Sequence, residues 1–338
     1  MCLPADSCPI TPFATPLIGE IERTIASRAT PSPISITLAR EATGYPRVHE
    51  LTTTLIRGAS LRVERAPDLA SPSYPTRRAV HNHESSKVFA SQVRTQLADE
   101  VKAGTTFVLG PELPEEWRKP GSGVFVSPIG CVEKASSTAS VPVVRIIIDA
   151  SSGGAQSLNA RISKSTLDEL DPSTPSYLSN QVIAATLLAA GPGALYSLTD
   201  VKAAFNNVAL DPSNYRFSVI HFEGVWYCQT RLGFGYRSSP DVFEVIMGAF
   251  DWILRTRDQL NILRIVDDIL NVDLPEVAAA NATFMRAEIT RYGIPIATAK
   301  NVDQVSVVKF NGLEWNAVDQ TVTIPATKIA DIRLCITA

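Results

Sequence analysis

Three aspartates in this 338-residue sequence have the side-chain type and placement needed to bind divalent metal ions. Asp267 and Asp268 are adjacent within the apolar run ILRIVDDIL, and Asp200 ends a second apolar run that contains Leu195 and Leu198. Carboxylate oxygens are the hard ligands that Mg²⁺ prefers. Two such ions about 4 Å apart can stabilise both the attacking and the leaving oxygen of a phosphoryl transfer. The residue types are therefore consistent with metal-dependent phosphoryl transfer.

Each aspartate also has a purely structural interpretation. Two adjacent carboxylates in a sheet core are costly without a compensating cation, and neighbouring strand residues point to opposite faces. A tight hairpin turn that projects one carboxylate into a cleft solves this, but so does a surface turn with solvated acids. Asp200 alone fits a helix N-cap or a turn equally well. Spacing by itself leaves these alternatives open.

The elements around the aspartates alternate between helices and strands, which is typical of an α+β fold. A helical pattern begins at Ser86 and closes at Gly104. The runs GVFVSPIGCVEK and VPVVRIIIDA predict a pair of strands. The segment FSVIHFEGVWYCQTRL predicts a β-hairpin that turns at Glu223 and Gly224.

Further helices are predicted over residues 176–190, from Ser239 onward, and over about 275–292. The helix from Ser239 carries one apolar face, made of Phe243, Ile246, Met247, Phe250 and Ile253. Short strands are predicted in VSVVKFNGLEW and in TVTIPA. Residues 1–85 are rich in Ser, Thr, Pro and Ala, which predicts a partly disordered leader with short helices near 17–28 and 49–57.

Composition excludes several classes of protein. A hydrophobic content of 45% with 19% charged residues is ordinary for a globular chain, and no apolar run is long enough for a membrane span. The five cysteines are odd in number and lack CxxC spacing, which argues against a disulfide framework and a zinc site. We therefore expect an intracellular protein, cytoplasmic or nuclear. The net charge of −3 gives no support for nucleic-acid binding.

Several segments, taken in order, resemble the motifs of reverse transcriptases. YSLTDVKAAF (196–205) resembles the first palm motif, RLGFGYRSSPDVF (231–243) the Leu-Pro-Phe-Gly…Ser-Pro…Phe motif, and ILRIVDDIL (262–270) the Asp-Asp hairpin. Upstream, residues 127–159 are similar to the fingers motifs that end in Arg…Asp…Leu-Asn. Downstream, GIPIATAK and VVKFNGLEW are similar to the later palm motifs and the primer-grip hairpin. The likeness covers about residues 85–325.

The individual residues of these motifs most closely resemble those of reverse transcriptases from retrotransposons of the DIRS or tyrosine-recombinase type, with long-terminal-repeat elements as the next candidates. The resemblance implies an α+β right-hand polymerase, with palm and fingers and an antiparallel palm sheet packed on helices. The implied domains are a leader (1–85), fingers (86–192), a palm with inserted fingers elements (193–315), and the start of a truncated thumb or connection (316–338).

The resemblance also implies a role for each acidic residue. Asp200 and Asp267 would bind two Mg²⁺ ions, with Mn²⁺ as an alternative metal, and Asp268 would assist. The backbone carbonyl of Val201 would complete the coordination of the nucleotide-bound ion.

The implied substrate-binding residues are Lys134, Arg145, Phe205, Phe234, Gly235 and Lys300. The cations Lys134 and Arg145 would meet the triphosphate, and Lys300 would act near the pyrophosphate leaving group. Phe205 would lie beneath the incoming sugar and favour deoxynucleotides. Phe234 and Gly235 would line the pocket under the template base pair. The alternatives are core packing for Phe205 and solvated charges for the cations.

The implied function is an RNA-directed DNA polymerase that adds deoxynucleoside triphosphates to a primer 3′-hydroxyl on an RNA or DNA template. Ala203 stands where the family usually has an acid, Gly233 where it has proline, and Ile265 where an aromatic residue is common. None of these departures removes a metal ligand, but together they suggest a divergent or decaying copy. Since the chain stops at Ala338, soon after the primer-grip hairpin, we expect a truncated copy with weak processive synthesis.

Two other functions are consistent with the same residues. One is a catalytically decayed polymerase-derived domain that binds nucleic acid or a protein partner. The other is a different two-metal nuclease or cyclase built on a similar sheet, against which the fingers-like segment 127–159 argues.

Overall fold

In the computed structural model the chain folds into two compact units, each assembled from separated stretches. The structure describes residues 16–64, 81–119, 122–133, 143–162 and 178–330, with side chains from residue 20 onward. The first unit comprises residues 1–32, 56–164 and 208–239, and the second comprises residues 33–55, 165–207 and 240–338.

Helices and strands alternate along the described chain. The helices are α1 (Pro16–Ala26), α2 (Thr37–Glu41), α3 (Val48–Arg57), α4 (Glu84–Val88), α5 (Ala90–Lys102), α6 (Glu115–Arg118), α7 (Asn180–Ala190), α8 (Ser239–Thr256) and α9 (Pro275–Arg291). The strands are β1 (Thr106–Gly110), β2 (Ile129–Glu133), β3 (Val144–Ile148), β4 (Leu195–Asp200), β5 (Val219–Phe222), β6 (Val225–Gln229), β7 (Ile262–Ile265), β8 (Asp268–Asp273), β9 (Val302–Val305), β10 (Val307–Phe310), β11 (Leu313–Asn316) and β12 (Thr321–Thr323). This is the predicted mixed order of helices and antiparallel strands.

The first unit contains two small antiparallel sheets, in the orders β1-β6-β5 and β2-β3. The β5–β6 hairpin turns at Glu223 and Gly224, whose φ angles are 46° and 79°. This confirms the predicted hairpin, because paired left-handed residues are what a two-residue turn between twisted strands requires. The core of this unit consists of Val93, Leu97, Ile129, Ile146, Ile220 and Phe222.

The second unit contains a four-stranded antiparallel sheet in the order β7-β8-β4-β9. The helix α9 packs against β8, β4 and β9, and α7 packs against β8. A separate three-stranded sheet has the order β10-β11-β12. The core of the unit includes Ile183, Leu187, Tyr196, Leu263, Leu270, Val272, Phe310 and Trp315. An antiparallel sheet packed on helices is the arrangement that the sequence predicted.

The helix α8 begins at Ser239, as predicted, and its predicted apolar face is fully buried. The buried side chains are those of Phe243, Ile246, Met247, Phe250 and Ile253. The predicted helix over 275–292 corresponds to α9, which begins at Pro275. Proline suits the first position of a helix because its missing N–H has no partner there. No helix in the described part of the chain is long and apolar enough to cross a membrane.

Two sequence interpretations differ from the structure. The helix predicted from Ser86 to Gly104 is divided into α4 and α5, because Phe89 leaves the helical conformation at φ −100° and ψ 28°. The short helices predicted near 17–28 and 49–57 are confirmed as α1 and α3, but residues 16–64 of the predicted leader also hold α2 and bury Leu38 and Leu51 completely. Composition underestimated this order, because it does not register that α1 and α3 each carry an apolar face, with Ile25 and Leu51 buried.

Candidate active site

The aspartates singled out in the sequence lie at one end of the four-stranded sheet in the second unit. Asp200 is the last residue of β4 and Asp268 is the first of β8, and the two form the final register pair between these strands. The Val201 N–H donates to the carbonyl of Asp267 over 2.9 Å. The apolar pair Leu198 and Leu270, two positions earlier, fixes this register by burying one face of the sheet. The structure therefore brings the three aspartates together.

The turn that carries Asp267 is tight and strained. The strands β7 and β8 close on the pair Ile265 and Asp268, which leaves only Val266 and Asp267 in the turn. Val266 has a φ of 52°. A β-branched residue rarely adopts this conformation, and such strain costs on the order of 1–3 kcal/mol. Strain of this kind persists only where surrounding contacts hold the backbone in place.

A buried arginine supplies one of those contacts. Arg264 donates from Nη1 to the Val266 carbonyl over 3.1 Å, from Nε to Asp251 Oδ2 over 2.8 Å and from Nη2 to Glu244 Oε1 over 2.6 Å. Its side chain is only 4% exposed. Burial lowers the pKa of Arg264, but the charges of Asp251 and Glu244 outweigh burial and hold that pKa above its usual value. Arg264 therefore stays charged and ties the turn to α8.

The electrostatics of the three aspartates favour a cation. Burial, together with the negative charges of Asp267 and Asp200, raises the pKa of Asp268 to about 6, while Lys300 opposes the rise. Three hard oxygen donors with mutual repulsion are chemically suited to Mg²⁺. Across the described residues, however, no three His, Cys, Asp or Glu side chains are already arranged to hold a metal ion. The three carboxylates fit Mg²⁺ in their ligand chemistry.

Lys300 contacts Asp200 directly. Its Nζ donates to Asp200 Oδ2 over 2.8 Å, although the lysine side chain is 63% exposed. The short 3₁₀ helix Thr298–Lys300 presents the lysine, and just before it the Ala297 N–H donates to the Asp200 carbonyl over 2.8 Å. The structure thus brings Lys300, predicted near the leaving group, to a predicted metal ligand.

Val201 and Phe205 follow Asp200 along the chain and are both buried. Val201 is 1% exposed and pairs with Ile296 in an isolated antiparallel bridge. Phe205 is 8% exposed, and its ring meets Phe243 edge to face at 5.6 Å. This packing is that of a core aromatic side chain with a small accessible edge.

Three further predicted site residues lie in the first unit. The Arg145 guanidinium lies over the Phe234 ring at 4.5 Å. Gly235 has a φ of 116°, and a Cβ there would come within 1.9 Å of the Ile148 carbonyl oxygen, so only glycine fits. The structure therefore brings Arg145, Phe234 and Gly235 to one place. Lys134 lies outside the described residues.

Two residues that support these sites lie within the motifs quoted above but were assigned no role from the sequence. Asn159 donates to the Gly235 carbonyl over 2.8 Å and accepts from the Arg237 N–H over 2.8 Å, which fixes that loop on both sides. Arg264 is the other. A cation within the apolar run ILRI, together with two acids seven residues apart on the α8 pattern, was an available signal for it.

The fold is similar to that of foamy virus protease–reverse transcriptases. A mutant of the prototype foamy virus enzyme is 17% identical with a TM-score of 0.50, over 92% of this chain and 36% of that chain. A foamy viral enzyme in complex with double-stranded DNA is 14% identical with a TM-score of 0.53, over 98% of this chain and 50% of the other. The foamy viral enzyme in complex with an RNA/DNA hybrid is 14% identical with a TM-score of 0.53, over 98% of this chain and 38% of that chain.

The described chain thus has the fold of reverse transcriptase polymerase domains. At these identities the likeness extends to the fold alone. The chain spans half the length of these proteins or less. No protein-family model and no curated protein sequence matches it.

Proposed function

We propose that this chain is the polymerase part of a reverse transcriptase, an RNA-directed DNA polymerase that extends a primer with deoxynucleoside triphosphates. The observation that carries the proposal is the register pair of Asp200 and Asp268, with Asp267 in the adjoining turn, on a reverse transcriptase fold. The foamy viral proteins have been solved with double-stranded DNA and with an RNA/DNA hybrid. We extend that class of partner, a primer–template duplex, to this chain.

The reaction joins the primer 3′-oxygen to the α-phosphorus of the nucleotide and breaks the bond to the bridging oxygen, so pyrophosphate leaves. When bound, Mg²⁺ or Mn²⁺ would lower the pKa of the 3′-hydroxyl and neutralise charge on the phosphates. Asp200 and Asp267 would hold the ions, and Asp268 would assist with its partly shielded carboxylate. Lys300 contacts Asp200. From that position its ammonium group would stabilise the negative charge of the departing pyrophosphate.

Nucleotide binding would involve Lys134, Arg145, Phe205 and Gly235, in the roles that the resemblance implies. The exposed Arg145 has its guanidinium stacked on Phe234, which leaves its N–H groups available to phosphate oxygens at the ring edge. Lys134 would add a second cation for the triphosphate. Gly235 would allow the base pair to approach the backbone, and Phe205 would limit the space for a 2′-hydroxyl.

Primer extension on an RNA template tests the proposal. The wild-type chain should extend a DNA primer with Mg²⁺ or Mn²⁺, and both a chelator and Asp267→Asn should abolish extension. Asp319→Asn is a matched control, because Asp319 also occupies a hairpin turn of the second unit, between β11 and β12. Equal extension by Asp267→Asn and Asp319→Asn would refute the proposal.

A second candidate function is supported by the ion pair of Lys300 with Asp200, which occupies one of the predicted metal ligands. In this alternative the chain is a decayed polymerase domain that binds nucleic acid or a protein partner without catalysis. Its binding would be unaffected by chelator and by Asp200→Asn. We further propose that the chain comes from a retrotransposon of the DIRS type, and this rests only on the residues of its sequence motifs.

A further inference from the structure

We propose that Arg264 is a positioning residue for the metal-binding turn, and that it sets the place of Asp267 by holding the Val266 carbonyl. The inference rests on the proposed function, because it assigns the turn to metal binding. It adds a residue that neither the sequence motifs nor the fold comparison assigns to that site.

The contacts of Arg264 leave its guanidinium little freedom. Its three nitrogens donate to three different acceptors, the carboxylates of Glu244 and Asp251 and the carbonyl of Val266. The two carboxylates lie seven residues apart on α8, which places them on one face of that helix. The planar guanidinium therefore fixes a rigid distance between α8 and the turn.

The turn needs such a contact because its backbone is unfavourable by itself. Val266 adopts φ 52° without the freedom of glycine, and Asp267 follows it directly. The Val266 carbonyl belongs to the peptide between Val266 and Asp267, so a donor on that carbonyl restrains ψ of Val266 and φ of Asp267. A change in φ of Asp267 would reorient the Asp267 side chain relative to Asp200 and Asp268. Holding one carbonyl thus holds the carboxylate that follows it.

A lysine at this position cannot replace the arginine. Its single ammonium can keep an ion pair with Glu244 or Asp251, but it lacks the fork that reaches two carboxylates and a carbonyl at once. Arg264→Lys therefore preserves the charge and removes the geometry. Residues that orient metal ligands typically change metal affinity by about 10- to 100-fold when altered.

Arg47, which contacts the same helix α8, provides a matched control. Its guanidinium donates to both carboxylate oxygens of Asp241 on α8, at 3.1 and 3.3 Å, and its side chain is 11% exposed. Arg47→Lys thus loses a comparable buried fork on α8, whose partners Asp241 and Glu50 lie outside the turn. Both variants should lose similar thermal stability, so a difference at the metal site cannot come from stability alone.

The experiment measures Mn²⁺ binding from the EPR signal of free Mn²⁺, and amide hydrogen exchange of residues 265–268, in wild type, Arg264→Lys and Arg47→Lys. For Arg264→Lys we expect Mn²⁺ affinity about tenfold weaker or more and faster exchange in the turn. For Arg47→Lys both should stay within about twofold of wild type. Equal effects in the two variants, or faster exchange with unchanged Mn²⁺ affinity, would overturn the inference.

Two further outcomes are separable. If the wild-type chain binds no Mn²⁺, the proposed function fails, and exchange in the turn alone decides whether Arg264 holds it. If Arg264→Lys does not fold, Glu244→Gln replaces it, since this variant weakens one anchor of Arg264 and leaves the guanidinium in place. Unchanged exchange and Mn²⁺ affinity in Glu244→Gln would then overturn the inference.

Discussion

Lys300 and Asp200 form an ion pair across 2.8 Å, so one carboxylate of the candidate metal site already has a cationic partner. The lysine is mostly exposed and the aspartate is 13% exposed, which makes the pair easy to exchange for a metal ion. A divalent ion that binds Asp200 must displace the ammonium or share the carboxylate with it. The pair therefore competes with the metal in the free chain.

Removing the lysine should strengthen metal binding. In Lys300→Gln we expect the Mn²⁺ concentration at half saturation to fall by up to about fivefold, since an exposed ion pair contributes at most about 1 kcal/mol. Lys309→Gln, which removes an exposed lysine of β10, should leave binding unchanged. Weaker Mn²⁺ binding by Lys300→Gln would show that the lysine supports the site instead of competing for it.

Glycine at 235 should be irreplaceable for stability. Gly235→Ala places a Cβ within 1.9 Å of the Ile148 carbonyl oxygen, so we expect a loss of about 3 kcal/mol from backbone strain and overpacking together. Gly224 also has a positive φ, 79°, but a Cβ there would meet no atom within 4 Å. Gly224→Ala should therefore lower the free energy of unfolding by only about 1–2 kcal/mol. Urea denaturation measures both, and equal losses would mean that the close approach has no cost.

The turn residue Val266 should tolerate glycine unusually well. Val266→Gly relieves a left-handed conformation that costs a β-branched residue on the order of 1–2 kcal/mol, which offsets the greater chain entropy of glycine. The free energy of unfolding should therefore change by less than about 1 kcal/mol. Val272→Gly, at a buried position of β8, should lose more than about 2 kcal/mol. Similar losses for both variants would argue against strain at Val266.

The acid stability of the second unit should depend on Glu41. Hydrogen bonds from Arg291 and Tyr292 lower the pKa of Glu41 to about 2, from an ordinary value of 4.5. Because the folded pKa is depressed, the stabilisation is complete above pH 4.5 and is lost as the pH falls toward 2. Solvent screening limits it to about 1 kcal/mol.

Glu41→Gln should therefore be less stable than wild type at pH 7, and this difference should shrink as the pH falls from 4.5 toward 2. Urea denaturation at several pH values measures it. A stability difference that stays constant over that range would contradict the assignment, because the glutamine would then act through packing alone.

Much of the fold follows from local patterns in the sequence. The face of α8 could be predicted because Phe243, Ile246 and Phe250 recur at helical spacing. The β5–β6 hairpin could be predicted because Glu223 and Gly224 interrupt alternating strands. Such signals come from residues close together in the chain, where sequence periodicity reflects burial directly.

Contacts between distant residues left a weaker signal or none. Arg264 pairs with Glu244 and Asp251 through the geometry of α8 against β7, which a linear pattern does not encode. Leu38 and Leu51 are likewise completely buried, in a segment whose composition predicted partial disorder. The three aspartates were found from ordered motifs, whereas the contact between Lys300 and Asp200 required the register of the folded chain.

The central claim, that the aspartates at the end of β4 and β8 support template-directed polymerisation, is tested most directly by single-nucleotide incorporation. A DNA primer on an RNA template is offered each deoxynucleoside triphosphate separately, with Mg²⁺ or Mn²⁺ present. The proposal predicts that the wild-type chain adds only the complementary nucleotide and that Asp200→Asn adds none. Incorporation by Asp200→Asn at the wild-type rate, or no incorporation by the wild-type chain on a primer–template that it binds, would contradict it.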